Sequence, residues 1–425
     1  MADTIFALSS GTPPAAIGVV RISGVRAGGV VEAMCSSLPE ARHASLRTLR
    51  DEKGDALDKA LVLWFPGPQT ATGEDLAEFH CHGGRAVIAA LERRLARFDG
   101  VRRAEPGEFT RRAFANGVID LAEAEGLGDL LAAETELQRR AAQEAAGGGL
   151  SRKIEGWREQ VLRLSALVEA QLDFGDEDDV GKLPEMFHVE LSQLLNEWRG
   201  ALEAPRAERL RDGIRVVFAG PPNSGKSSLF NAILDEGAAI VSAEAGTTRD
   251  VIERPVALGG VPFLLVDTAG LREEGAGDIE CIGIERALGE MGRADIVLWL
   301  GEEGHGPEGA LEVASRSDLG DLGKVQPDYV VSAVTGNGVE GLVAGLAERA
   351  KGLLPRPGAA ALNARQGDAL FEARQALGDI EPDAADLLLT AERLRLARVA
   401  LDRLLGRQST EDMLNALFGR FCIGK

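Results

Sequence analysis

The rhythm of apolar and polar positions changes along the chain. In residues 1–118 short apolar or alternating runs, "TIFALSS", "IGVVRISG", "ALVLWFPG" and "DLAEFHCHGG", predict strands. "GRAVIAALERRLARF" repeats its apolar residues at three and four and predicts a helix, so this stretch is an α+β domain. Residues 119–211 are helical in spacing: "DLAEAEGLGDLLAAETELQRRAAQEAA", "GWREQVLRLSALVEAQLDF" and "HVELSQLLNEWRGALE". Gly147 to Gly149 mark a break, and the acidic "DFGDEDDVGKLPE" a loop. Residues 212–354 open on the strand "GIRVVFAG" and alternate strand with helix. After the linker "PRPG", residues 355–425 are helical again and end on the apolar "NALFGRFCIGK". The simplest architecture is a multidomain α/β chain: an α/β domain inserted into a discontinuous helical domain, whose two parts pack together because the ends of an inserted domain lie close.

Composition narrows the class. A chain of 425 residues exceeds one core, so two or three domains are expected. No apolar run is long enough for a bilayer, and "MADTIFALSS" lacks the basic start of a signal peptide, so no membrane partner is expected. Cys35, Cys81, Cys281 and Cys422 are scattered, which predicts reduced thiols in a cytoplasmic protein. The net charge of -20 argues against nonspecific nucleic-acid binding. The arginine-rich runs "LERRLARFDGVRRAEPGEFTRRAF" and "AERLRLARVALDRLLGR" are expected to be solvated helix faces.

The sharpest chemistry is "GPPNSGKS", Gly220 to Ser227, after the strand "RVVFA" and before the helix "SLFNAIL". This is the strand–loop–helix setting of a phosphate-binding P-loop, with backbone N–H groups and a helix N-terminus facing the phosphates. Asn223, Ser224, Gly225, Lys226, Ser227 and Ser228 are the expected contacts, with Lys226 on the β/γ-phosphates and Ser227 on Mg²⁺. "FLLVDTAG" places Asp267 where a carboxylate holds Mg²⁺, followed by Thr268, Ala269 and Gly270, whose N–H meets the γ-phosphate. In "AGTTRD", Thr247 and Thr248 stand where a switch threonine closes over Mg²⁺. Leu271 occupies the position where Ras-like enzymes carry a glutamine that orients water, so another group must do so.

Base recognition is predicted in "SRSD". Asp318 can accept the N1 and N2 hydrogens of guanine and Arg316 can cover the base, while Ser315 stands in place of the usual asparagine and loses an amide contact. "SAVTGNG" supplies Ser332 and Ala333, in the loop whose backbone N–H meets guanine O6. An ATPase is the competing reading. Asn223 can also offer its carbonyl to a monovalent cation, offsetting the charge an arginine finger offsets.

Together with "IGVVRISG", "ATGEDLAEFHCHGG", "RAEPGEFTRRAFANGVIDLAEAEGL", "AGTTRDVIE", "DTAGLRE", "IGIERA" and the terminal "FCIGK", these motifs resemble the tRNA modification GTPase MnmE (TrmE) family over essentially the whole chain. The resemblance implies a cytoplasmic homodimer with four stretches: an N-terminal folate-binding and dimerisation domain (1–118), a helical part (119–211), a P-loop GTPase domain of Ras-like type (212–354) and a second helical part (355–425). It implies a complex with the flavoprotein MnmG, a heterotetramer that modifies carbon 5 of the wobble uridine in tRNA. The one-carbon donor is 5,10-methylene- or 5-formyl-tetrahydrofolate. GTP hydrolysis with Mg²⁺ is stimulated by K⁺-dependent pairing of G domains. Residue by residue, Asn223, Ser242, Glu244 and Thr247 match the K⁺ ligands, Ser227 and Thr248 the Mg²⁺ ligands, and Glu280 the glutamate that orients water. Arg21, Glu78, Val118 and the terminal Lys425 fall at folate positions. Val118 replaces a usually basic residue and offers no polar contact. His80 and His82 lie on one face of a strand but are too few to bind a metal. Cys422 is read as packing rather than a nucleophile. An RNA-binding GTPase switch in ribosome assembly is the alternative, which the folate motifs disfavour.

Overall fold

The computed structural model describes residues 3–173, 183–237, 252–268, 288–320, 323–355, 361–380, 386–407 and 410–424. They form two compact units, Met1–Gly128 with Asp402–Lys425, and Asp129–Leu401. Mixed sheets and many helices make this a multidomain α/β chain.

The first unit is built on β1 (Thr4–Leu8), β2 (Ile17–Ser23), β3 (Ser45–Arg50), β4 (Ala56–Phe65), β5 (Leu76–His82) and β6 (Val101–Arg103), in the order β3-β4-β5-β2-β1-β6. Only β1 and β6 run parallel. Along β2, Val20 and Ile22 are buried while Val19 and Arg21 are partly exposed, the period-two pattern of a strand with one covered face. That face is closed by α1 (Ala27–Cys35) and α2 (Arg85–Leu95), whose Val30, Met34, Ile88 and Leu91 share a core with Phe6, Phe79 and Val62. The sequence pattern anticipates β1, β2, β4 and β5. It misses β3 and β6, which are short or rich in arginine.

The first arginine-rich run is a solvated face at Arg93, Arg97, Arg102 and Arg103, which are exposed, but not at Arg112. The run spans the end of α2, β6 and α3 (Glu108–Ala115), stitched by ion pairs. Arg112 is buried and reaches Asp3 (2.9 Å), Glu74 (3.1 Å) and Glu108 (3.1 Å). Arg102 meets Asp3 and Glu108 from the outside. Burial alone pushes the Asp3 and Glu108 carboxyls up, but hydrogen bonds from Arg102 and Arg112 outweigh it and hold both below their ordinary values.

The chain continues into α4 (Leu121–Ala132), α5 (Glu136–Ala146), α6 (Gly149–Asp173) and α7 (Glu185–Glu203). What reads as one helical run is cut before α5 because Thr135 caps it, accepting the Gln138 N–H in a capping box. Leu150, Ile154, Trp157, Val161 and Leu164 form the buried stripe of α6. Trp157 meets Trp198 of α7 edge-on at 6.1 Å. The short α8 (Ala207–Arg211) leads into β7 (Ile214–Ala219), then α9 (Lys226–Glu236), β8 (Ile252–Leu258), β9 (Val261–Asp267), β10 (Ile296–Trp299), β11 (Leu311–Ala314), β12 (Tyr329–Val330) and α10 (Val339–Lys351). The strands form a sheet in the order β12-β11-β10-β7-β9-β8, parallel except for β8 against β9. Next, α11 (Ala364–Gly378) packs on α7, so helices before and after the α/β body meet as the sequence predicts. After α12 (Leu387–Leu404) the chain returns to the first unit with α13 (Glu411–Phe418).

There the tail finds its place. Phe418 and Phe421 are buried with Leu414, Leu121 and Phe114. Beyond them Ile423 bridges to Pro106, and the Gly107 N–H donates to the Cys422 carbonyl at 3.5 Å.

Replacing Arg112 by Met strands three carboxylates around a buried position, and about 3–5 kcal/mol of stability should be lost at neutral pH. Depressed carboxyl pKa values stabilise above the ordinary values, 3.8 for Asp3 and 4.5 for Glu108, and that contribution disappears as pH falls through the lower folded values. The gap in urea midpoint between wild type and Arg112→Met should therefore shrink on acidification below about pH 4. A gap that is small at pH 7 or independent of pH contradicts the account.

Candidate functional sites

In the second unit, β7, β9, β10, β11 and β12 end on one edge of the sheet, the edge where parallel α/β sheets bind ligands. The loop after β7 turns at Gly220 (φ 143°), Asn223 (φ 58°) and Gly225 (φ 94°) before α9 begins at Lys226. These left-handed positions curl the backbone into a concave loop at a helix N-terminus, a cradle for phosphate. Lys226 is buried, and its ammonium donates to the carbonyls of Gly220 (3.0 Å) and Pro221 (2.8 Å), spanning the loop. Ser227 and Ser228 follow in the first turn and are exposed.

Asp267 closes β9 and is buried, in register with Phe218 beside the loop. The Thr268 hydroxyl donates to the Phe218 carbonyl (2.7 Å), fastening the strand that carries Asp267 to the strand that carries the loop. On the other side, β11 delivers Ser315, whose hydroxyl donates to the Ser224 carbonyl at 2.6 Å. Arg316 follows in the left-handed region, and Asp318 is exposed on a short turn. The buried Ser332 donates to Asp318 Oδ1 at 2.7 Å, with Ala333 next in the same loop. The structure therefore brings Ser224, Gly225, Lys226, Asp267, Thr268, Ser315, Asp318 and Ser332 to one edge. Ser242, Glu244, Thr247, Thr248, Ala269, Gly270, Leu271 and Glu280 lie outside the described residues. Sequence reasoning assigned Ser332 through its backbone alone. Only tertiary packing reveals its hydroxyl on Asp318.

A second polar centre sits on the first unit's sheet. Arg21 and Glu78 are paired across β2 and β5. Two guanidinium nitrogens of Arg21 donate to Glu78 Oε1, at 3.0 and 2.8 Å. His80 Nε2 meets Glu78 Oε2 at 3.1 Å, a contact the sequence reading did not assign. Burial works against the charge on Glu78, yet the hydrogen bonds from His80 and Arg21 hold its carboxyl below the ordinary glutamate value. Arg21 also lies over the Phe109 ring, 5.9 Å from its centroid. His82 instead pairs with Asp58 at 2.7 Å. Val118 is exposed in the turn after α3. Gly424 lies against the end of β1: a Cβ there would sit 2.3 Å from the Leu8 carbonyl oxygen. Leu8 pairs with Val20, next to Arg21, so the chain's end approaches the same sheet region. Lys425 lies outside the described residues, and Cys422 is exposed, so the packing role read from the sequence does not hold; the buried tail residues are Phe418 and Phe421.

Comparison with known proteins gives the family. The family model for the GTP-binding protein TrmE N-terminus matches residues 4–118, and that for the MnmE helical domain matches residues 121–422. The tRNA modification GTPase MnmE of Erythrobacter litoralis is 62% identical over 424 residues, covering 100% of both chains. Those of Novosphingobium aromaticivorans and Rhizorhabdus wittichii are 56% and 57% identical, covering 100% of this chain and 100% and 97% of theirs. Among described residues no helix is long and apolar enough to cross a membrane.

Gly424 has φ +96°, so Gly424→Ala adds both backbone strain and a clash with Leu8. Strain of this kind is of order 1–3 kcal/mol, which should speed hydrogen exchange of the Gly107 amide, bonded to the Cys422 carbonyl, about tenfold, since exchange follows the population of the open form. An unchanged rate contradicts the docked tail.

Proposed function

The chain belongs to the tRNA modification GTPase MnmE family and is a GTPase acting in tRNA modification; from that premise we propose how its residues divide the work. The observation that carries the reading is the convergence of the P-loop, Asp267 and the Asp318–Ser332 pair on one sheet edge. GTP binds there, its phosphates on the Asn223–Ser228 backbone and Lys226, its guanine on Asp318 and the Ser332–Ala333 loop. The hydroxyls of Ser227 and Thr248, with the Asp267 carboxylate, are the hard oxygen donors Mg²⁺ prefers. The carbonyl-bearing Asn223, with Ser242, Glu244 and Thr247, holds K⁺ when two G domains of a homodimer meet. Glu280 orients the attacking water in place of the glutamine that Leu271 lacks.

The first unit binds a reduced folate, 5,10-methylene- or 5-formyl-tetrahydrofolate, which supplies the one-carbon unit. Arg21 and Glu78 suit it: a guanidinium for a carboxylate and a carboxylate for the N–H edge of a pterin. Lys425 adds an ammonium, while Val118 contributes packing only. With MnmG the protein installs an aminomethyl-type group on the wobble uridine in the cytoplasm. The proposed division of labour keeps the boundaries 1–118, 119–211, 212–354 and 355–425.

GTP turnover measured in KCl and in NaCl at equal ionic strength tests the nucleotide half. Turnover should be at least roughly tenfold faster in KCl, a modest share of the 10³–10⁵ an arginine finger supplies. Asn223→Ala should bring the ratio near one while GTP still binds. In the same assay Glu280→Ala should lower kcat by roughly 10²–10⁴ with little change in KM. Equal rates in both salts for the wild type, or a normal kcat for Glu280→Ala, overturns the respective assignment.

A further inference from the structure

The loop expected to read the base is tied to the loop expected to hold the phosphates by the Ser315 hydroxyl. Ser315 follows β11 directly, and its Oγ donates to the Ser224 carbonyl at 2.6 Å, two residues before Lys226. The loops touch closely there. A Cβ built on Gly225 would lie 3.4 Å from Ser315 Oγ and 3.7 Å from Arg316 Nε. A second hydroxyl works behind the first. Ser332 is fully buried, accepts the Thr335 N–H at 3.2 Å and donates to Asp318 Oδ1 at 2.7 Å. One carboxylate oxygen of Asp318 is thereby fixed, and the exposed side chain is presented in one orientation.

Proton counting gives these contacts a consequence. A serine hydroxyl has one proton to donate, and that of Ser315 is committed to Ser224. Guanine N7 is purely an acceptor. Ser315 therefore cannot hold the P-loop and donate to N7 at once. An asparagine amide carries two N–H donors and can do both. We propose that Ser315 is a positioning residue that sets the base loop against the phosphate loop through Ser224, and that this protein selects guanine without a side-chain contact to N7, through Asp318 as oriented by Ser332. The proposal deepens the GTPase reading and rests on it.

Calorimetric titration of the full chain with GDP, 7-deaza-GDP and IDP tests it. Wild type should bind GDP and 7-deaza-GDP within about twofold of each other. Ser315→Ala should weaken both equally, by about 2–10-fold, the range of one hydrogen bond. Ser315→Asn should bind GDP better than 7-deaza-GDP by a similar factor, because the new amide reaches N7 and keeps the tether. Ser332→Ala should lower the preference for GDP over IDP, which lacks the N2 amino group that Asp318 accepts. A serine that itself donated to N7 would give the wild type a preference for GDP over 7-deaza-GDP, and Ser315→Ala would erase it. The inference is overturned if wild type loses tenfold or more on 7-deaza-GDP, or if Ser315→Ala binds GDP as tightly as wild type. Wild type that binds no GDP contradicts the GTPase reading itself, a result separable from either.

Discussion

Burial of Phe418 and Phe421 against Phe114 and Leu121 joins the last residues of the chain to its first part. Each ring contributes on the order of 2 kcal/mol when fully buried. The contact makes the first unit discontinuous in sequence: everything from Asp129 to Leu401 is an excursion between its two pieces. It also decides where the terminus goes. With α13 anchored, the backbone after Phe421 has few residues in which to turn. It runs past Pro106 and Gly107 to the end of β1, where only a glycine at 424 allows the approach to Leu8. An apolar tail that would fray in water is held past Gly107 to the end of β1, in the sheet that carries Arg21 and Glu78.

The two polar centres solve their electrostatic problems differently. At Glu78, charge is kept by direct partners, a guanidinium on one oxygen and a histidine on the other. A ligand with its own carboxylate and N–H edge can exchange for these contacts at little net cost, because each group is already satisfied. At the nucleotide edge the backbone does most of the work. Three left-handed residues bend the loop, Lys226 spans it, and the short hydroxyl contacts of Thr268, Ser315 and Ser332 lock neighbouring strands and loops to it. Preorganisation of this kind matters most for a multiply charged ligand, where misplacing a donor forfeits electrostatic stabilisation.

What the sequence makes legible follows from range. The P-loop can be read because strand, glycines and helix are contiguous and their backbone geometry is local. The strands β2 and β5 announce themselves by alternation, and Arg21 and Glu78 are found on them through family motifs. Other features depend on partners far along the chain. Arg112 looks like one of many surface arginines until Asp3, Glu74 and Glu108 close around it. Strand β6 has three residues, two of them arginines, so neither alternation nor propensity marks it. Ser315 reads as a loss relative to asparagine, and only its distance to Ser224 shows what it retains.

The docked tail is proposed to complete a reduced-folate site at Arg21 and Glu78. Calorimetric titration of 5-formyltetrahydrofolate into the full chain, the chain lacking Phe421–Lys425 and the Lys425→Ala variant tests it, the last variant leaving Phe418 and Phe421 in place. Both changes should weaken binding by roughly tenfold or more, the loss expected from one charge-assisted hydrogen bond, while GTP turnover persists. Unchanged folate affinity in both altered proteins would contradict the claim.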